Sequence, residues 1–108
     1  MSHLAEIFDH QLEMQLTSFN NDLNGMTDEE RVEFIRWNVL ALTDELHEAL
    51  AETGWKPWAS SSHVNESAFA GELVDALHFL VNLFLAVGWG ADDVHEAYMA
   101  KAAKNKKR

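Results

Sequence analysis

Two pairs of carboxylates, Glu45/Glu48 and Glu72/Asp75, are spaced one helical turn apart and are the residues best placed for chemistry. The second pair lies in Glu72–Val87, ELVDALHFLVNLFLAV, a stretch apolar almost all the way round that also carries His78 and Asn82. At about 100° per residue, Glu72, Asp75, Phe79 and Asn82 share one helical face, and Leu73, Leu77, Leu80 and Phe84 share the other. Both faces are expected to be buried, and a buried carboxylate without a partner gives up its charge or destabilises the fold. A cation is the simplest partner. Two such pairs on facing helices surround one space with four carboxylates, a hard oxygen-only site suited to Mg²⁺ or Mn²⁺.

Spacing alone is weak support. With 18 acidic residues in 108, roughly three acid-x-x-acid pairs arise by chance. The chain has Glu6/Asp9, Glu30/Glu33 and Asp93/Glu96 besides the two pairs above. The apolar surroundings set Glu72/Asp75 apart, whereas Glu45/Glu48 is continued by Glu52 and is equally readable as a wet face.

The elements that must position these acids are helical. Leu4, Ile7, Phe8, Leu12, Leu16 and Phe19 have helical spacing across His3 to Asn20, before the turn signals Asn20-Asn21-Asp22 and Asn24-Gly25. Thr27 and Glu30 form a capping-box pattern. From Asp28, the stripe Ile35, Val39, Leu42, Leu46, Ala49 predicts a long helix ending near Glu52, before Gly54. WKPWASSSHVNE, Trp55 to Glu66, holds the single proline and reads as a loop. The apolar stretch is the third long helix, broken by Gly88-Trp89-Gly90, and a fourth runs from Asp92 and Asp93 towards Lys104. No strand alternation or repeat is present. The expectation is one all-α domain over residues 1–108, a bundle-like core of about four helices completed by dimerisation or a higher homo-oligomer, since so short a chain offers little cover for its third helix.

Composition narrows the function. Hydrophobic residues make up 47% of the chain and the formal charge is −10, which argues for a folded body and against a basic face for a nucleic acid polymer. The absence of cysteine excludes a thiolate zinc site or a cysteine nucleophile. No signal peptide is visible and the opening helix is too interrupted to span a membrane, so a cytoplasmic protein without membrane attachment is expected. Lys101, Lys104, Lys106, Lys107 and Arg108 crowd the C-terminus. They suit either a solvated helix end or a hold on an anionic substrate.

Taken together, these motifs resemble the all-α nucleoside triphosphate pyrophosphohydrolases, which include MazG-like enzymes and dimeric dUTPases. Glu45-x-x-Glu48 followed by Glu72-x-x-Asp75 is similar to their metal signature. The flanks resemble the dUTPase branch: Arg36-Trp37 before the first pair, Trp55-Lys56-Pro57-Trp58 after it, Asp75-x-x-His78-Phe79, Met14-Gln15 on the first helix, and Tyr98-x-x-Lys101-x-x-x-Asn105-x-x-Arg108 at the end. The set runs in the family's order over roughly residues 12 to 108.

The resemblance implies hydrolysis of dUTP to dUMP and pyrophosphate, with dUDP a further candidate substrate. It implies that Glu45, Glu48, Glu72 and Asp75 hold Mg²⁺ (or Mn²⁺) and that Glu45 or Glu48 orients the attacking water. It further implies that Lys101, Asn105, Arg108 and Lys56 contact phosphate, and that Phe79 and His78 pack on base or sugar. Gln15 would read the uracil edge, Tyr98 would close the pocket, and Trp55 belongs to its loop. Asn82 either lines the pocket or bridges to a neighbouring helix. Trp37 and Trp89 are expected in the core or an interface. The asparagine expected four residues after Gln15 is absent, Phe19 standing there, and an alternative register uses Gln11 with Gln15. Three rivals remain: a MazG-like enzyme for dCTP or a modified deoxynucleotide, a di-iron bundle built on Asp44-x-x-His47 and Asp75-x-x-His78, and a non-catalytic dimerising protein.

Overall fold

A computed structural model describes residues 2–106 and shows helices α1 (His3–Thr17), α2 (Asp28–Ala51), α3 (Glu66–Ala86) and α4 (Ala91–Lys106), with no strand among the described residues. The fold is all-α, as expected. Each start has a chemical cause. Ser2 accepts from the Ala5 amide, and Thr27 and Glu30 complete a reciprocal capping box that draws the Glu30 carboxyl below its usual range. Asn65 accepts from the Ala68 amide, so α3 begins six residues before the apolar stretch that announced it.

α2 and α3 form the principal pair, α1 lies against α3, and α4 contacts α1. The pair is antiparallel, with Asn38 bonded to Asn82 and Glu45 beside Glu72. The connection closes tightly: the Asn65 amide donates to the Glu52 carbonyl, and Gly54 sits at φ +60 where a Cβ would collide with the Ser61 carbonyl oxygen. Trp89 stacks on Phe84 at 5.9 Å after the glycine turn.

The faces that meet carry only part of the apolar stripes. On α1, Phe8 is buried with Gln11 and Gln15, while Ile7, Leu12 and Leu16 are exposed, as is Phe19 just beyond the helix. On α2, Ala49 of the expected stripe is buried with Asn38, and Ile35 and Leu42 are half-buried, while Val39 and Leu46 face outward. On α3, Leu73, Leu77 and Leu80 stay about two-fifths exposed, so only one of the two faces expected to be buried is covered within the chain. Trp37 is 65% exposed and is no core residue. By length and composition α3 is apolar enough to cross a membrane, but its polar line of Glu72, Asp75 and Asn82 runs along α2 and the cavity described next.

Candidate active site

A cavity of about 820 Å³ opens between α1, α2 and α3. Gln11, Met14 and Gln15 form its α1 wall, Trp37, Asn38 and Glu45 its α2 wall, and Asp75, His78, Phe79 and Asn82 its α3 wall. The helical pitch explains the sharing: residues three, four and seven apart return to one line, so each helix supplies a column of functional groups.

Amides dominate the inner part. Gln11 Nε2 donates to Asn82 Oδ1 at 2.7 Å, Asn82 Nδ2 donates to Asn38 Oδ1 at 2.8 Å, and Asn38 Nδ2 donates to the Phe34 carbonyl at 2.8 Å. Asn82 therefore both lines the cavity and bridges the helices. Gln15 Oε1 accepts from Asn21 Nδ2 at 3.0 Å. His78 Nδ1 lies 2.9 Å from the Val74 carbonyl. As that oxygen can only accept, Nδ1 carries the proton and Nε2 is left free for a ligand.

Carboxylates gather at the same cavity. Glu45, Glu72 and Asp75 each offer an oxygen within 4.8 Å of the others, and Glu45 and Asp75 also line the cavity. Glu45 Oε2 and Glu72 Oε2 are buried with no hydrogen-bond partner. The Glu72 carboxyl is held above its usual range, first by the closeness of the Glu45 carboxyl, which favours a proton between them, and then by burial and the charges of Glu45 and Asp75, against a lowering influence of Glu48. Exposed Glu48 is also raised, first by the closeness of the Glu72 carboxyl, which favours a proton between them, and by that residue's charge. Two orphaned buried oxygens amid mutually repelling carboxylates fit a hard divalent cation, which would satisfy both and remove the repulsion.

Other expected site residues lie elsewhere. Tyr98, Lys101 and Asn105 line a separate cavity of about 490 Å³ with Phe84 and Trp89, so within one chain α4 is not brought to the acid cluster. Trp55 and Lys56 are exposed on the loop after α2, where Lys56 Nζ sits 5.6 Å over the Trp58 ring. Neither lines the acid-bearing cavity. Arg108 lies outside the described residues. Asn38 carried no expected role, and Gln11 entered only as an alternative register. Their signal in the sequence is a polar residue on the inward column of a helix, legible only once that column is known.

Residues 3–90 match the dUTPase family, and the chain belongs to it. It is thus a member of a family of dUTP-hydrolysing enzymes whose all-α fold it shares. The match covers α1 to α3, the three helices that enclose the cavity, and ends at Gly90, before α4. No curated protein and no solved structure matches the chain.

Proposed function

We propose that the protein hydrolyses dUTP to dUMP and pyrophosphate with Mg²⁺, or Mn²⁺ in its place, held by Glu45, Glu72 and Asp75 and bordered by Glu48. The observation that carries this reading is the meeting of two environments in one cavity. Amides suited to a base line its inner part, and carboxylates with orphaned buried oxygens suit an ion that a triphosphate also binds. The volume falls within the range of small-molecule sites.

Bound there, Mg²⁺ would acidify a water and neutralise charge on the leaving pyrophosphate. The chain's own groups do the rest. Glu48 stands exposed at the edge of the cluster beside Glu72, a position from which a carboxylate can take a proton from the attacking water at the α-phosphorus. Glu45 orients that water from inside. Phe79 offers a face for the base, and His78 Nε2 is free to accept from the sugar hydroxyl. Gln15 and Asn82 belong to the base end. Lys56, Tyr98, Lys101, Asn105 and Arg108 are assigned to the phosphates and to pocket closure, which requires the loop after α2 and the C-terminal segment to move or a second copy to supply them. dUDP is a further substrate in this scheme, since attack at the α-phosphorus does not need the γ-phosphate.

We also infer a homodimer or higher homo-oligomer in the cytoplasm, where deoxynucleotide pools are found. The accessible surface of 8165 Å² exceeds the roughly 6,100 Å² of a compact monomer of this size. Leu40, Leu46, Leu73 and Leu77 are among the exposed apolar residues that a second copy would cover.

Hydrolysis of dUTP, dUDP, dCTP, dTTP and UTP with Mg²⁺ tests the assignment, with products separated chromatographically. dUMP plus pyrophosphate from dUTP is expected. Activity on dCTP with none on dUTP would establish the MazG-like alternative, and stepwise phosphate release would exclude attack at the α-phosphorus.

A further inference from the structure

Burying amides in so small a core is costly unless they are hydrogen-bonded, and the relay from Gln11 to Phe34 can be bonded in one sense only. Its last acceptor is a backbone carbonyl, which cannot donate. The nitrogen of Asn38 must therefore face Phe34, however the amide oxygens and nitrogens are placed. Asn38 Oδ1 is then committed to accept from Asn82, and Asn82 Oδ1 to accept from Gln11. The free end of the relay is Gln11 Oε1, an acceptor with no partner among the described residues, on a side chain that lines the cavity. One turn on, Gln15 shows the complementary sense, its oxygen taken by Asn21 and its nitrogen without a partner among the described residues.

We propose that Asn38 is a positioning residue that fixes the hydrogen-bond sense of the base pocket, so that Gln11 presents an acceptor and the cavity favours a pyrimidine protonated at N3 over one with a bare N3. This rests on reading the cavity as the base pocket of a dUTP hydrolase. Uracil brings an N–H at N3 flanked by two carbonyls, a donor for Gln11 with an acceptor beside it for Gln15. Cytosine brings a lone pair at N3, and its amino group lies one ring position away, out of register for a base whose triphosphate is held at the acid cluster. Presenting the Gln11 nitrogen to that lone pair in the place its oxygen now holds requires the whole relay to reverse. Reversal sets Asn38 Oδ1 against the Phe34 carbonyl, two acceptors at hydrogen-bond distance. Selectivity is thus set two side chains behind the group that touches the base.

Three variants test this through the ratio of kcat/KM for dUTP to that for dCTP, a ratio in which the fraction of folded enzyme cancels. Asn38→Leu removes the anchor and lets Asn82 and Gln11 reverse together, so the ratio is expected to fall by about tenfold or more. Asn38→Ala, a smaller change should the leucine variant not fold, admits water that serves either sense, and the same fall is expected. Asn38→Asp can only accept, so it still commits Asn82 to donate and keeps the ratio close to wild type even where the melting temperature drops. Loss of stability with the wild-type ratio in the leucine and alanine variants overturns the proposal, as does an aspartate variant that loses selectivity as fully as leucine. Wild-type enzyme with no dUTP activity would sink the functional reading and this inference together, whereas retained selectivity in the leucine and alanine variants sinks the inference alone.

Discussion

Replacing Glu72 by glutamine distinguishes an ion-binding cluster from an acidic surface, because it removes one charge and keeps the shape. Without metal, the variant should melt above the wild type. The Glu72 carboxyl is held above its usual range by Glu45 and Asp75, so its ionised form is disfavoured in the fold, and the neutral amide escapes that repulsion. With metal the order should reverse. An ion that binds only the folded chain at a hundred times its Kd adds about 2.7 kcal/mol. At roughly 4–8 °C per kcal/mol for a domain near this length, wild type should gain about 10–20 °C. Glu72→Gln should gain only a few degrees, because one of the two orphaned buried oxygens no longer carries charge. Glu96→Gln is the control: Asp93/Glu96 has the same spacing, yet neither residue belongs to the cluster or lines the acid-bearing cavity. The assay is thermal melting by circular dichroism at fixed protein concentration, in EDTA and across a Mg²⁺ titration. A wild type unmoved by Mg²⁺, or equal shifts in wild type and Glu72→Gln, would refute the metal assignment.

The same cluster sets a pH signature. Glu48 and Glu72 have raised pKa values in the fold, so their contribution to metal-free stability is complete below the ordinary glutamate value of about 4.3 and is lost as pH rises through the raised values. Glu30, lowered by its cap, works in the opposite sense but is common to both conditions, so melting curves in EDTA and in Mg²⁺ should diverge as pH rises, and parallel curves would contradict the cluster. Leu46→Glu places a charge on the exposed stripe of α2 and should shift the sedimentation coefficient towards monomer; an unchanged oligomer would locate the interface elsewhere.

Helix number and type were legible in the sequence because caps and glycine stops act locally. Thr27 with Glu30, Gly54 and the Gly88–Gly90 turn each fulfil the role their chemistry assigns. The start of α3 was missed because Asn65 caps a polar first turn, ahead of the apolar run that drew attention. The grouping of Glu72, Asp75, Phe79 and Asn82 on one face was legible for the same reason as the helices, since it depends only on pitch. The inward columns were legible only in part. Ile35, Leu42 and Ala49 of the α2 stripe and Phe8 of the α1 stripe do turn inward, but Val39, Leu46, Ile7 and Leu12 of the same stripes do not, and Asn38, Glu45, Gln11 and Gln15 take places on the inner faces. A cavity lined by polar side chains between helices mixes polar residues into the inward face, and a hydrophobicity pattern then misplaces its centre.

That mixing bears on assembly. A helix normally buries its apolar stripe against its own chain and leaves its polar face to water. Here α1, α2 and α3 turn polar columns towards one another and leave Leu12, Val39, Leu46, Leu73 and Leu77 outside. The radius of gyration, 16.6 Å, exceeds the roughly 13 Å of a compact chain of this length, in keeping with surplus surface on the order of 2,000 Å². Obligate homodimers bury areas of that order. In the proposed homodimer, a large part of the apolar contacts that stabilise an ordinary domain from within would come from the second copy. The helix pair holding Glu45 against Glu72 would be stabilised from behind, through the leucines on the outer face of α3, rather than through the acids it brings together. Carboxylates that repel one another can be held together only if something else supplies the stability, and in the proposed homodimer the outward stripes would supply it.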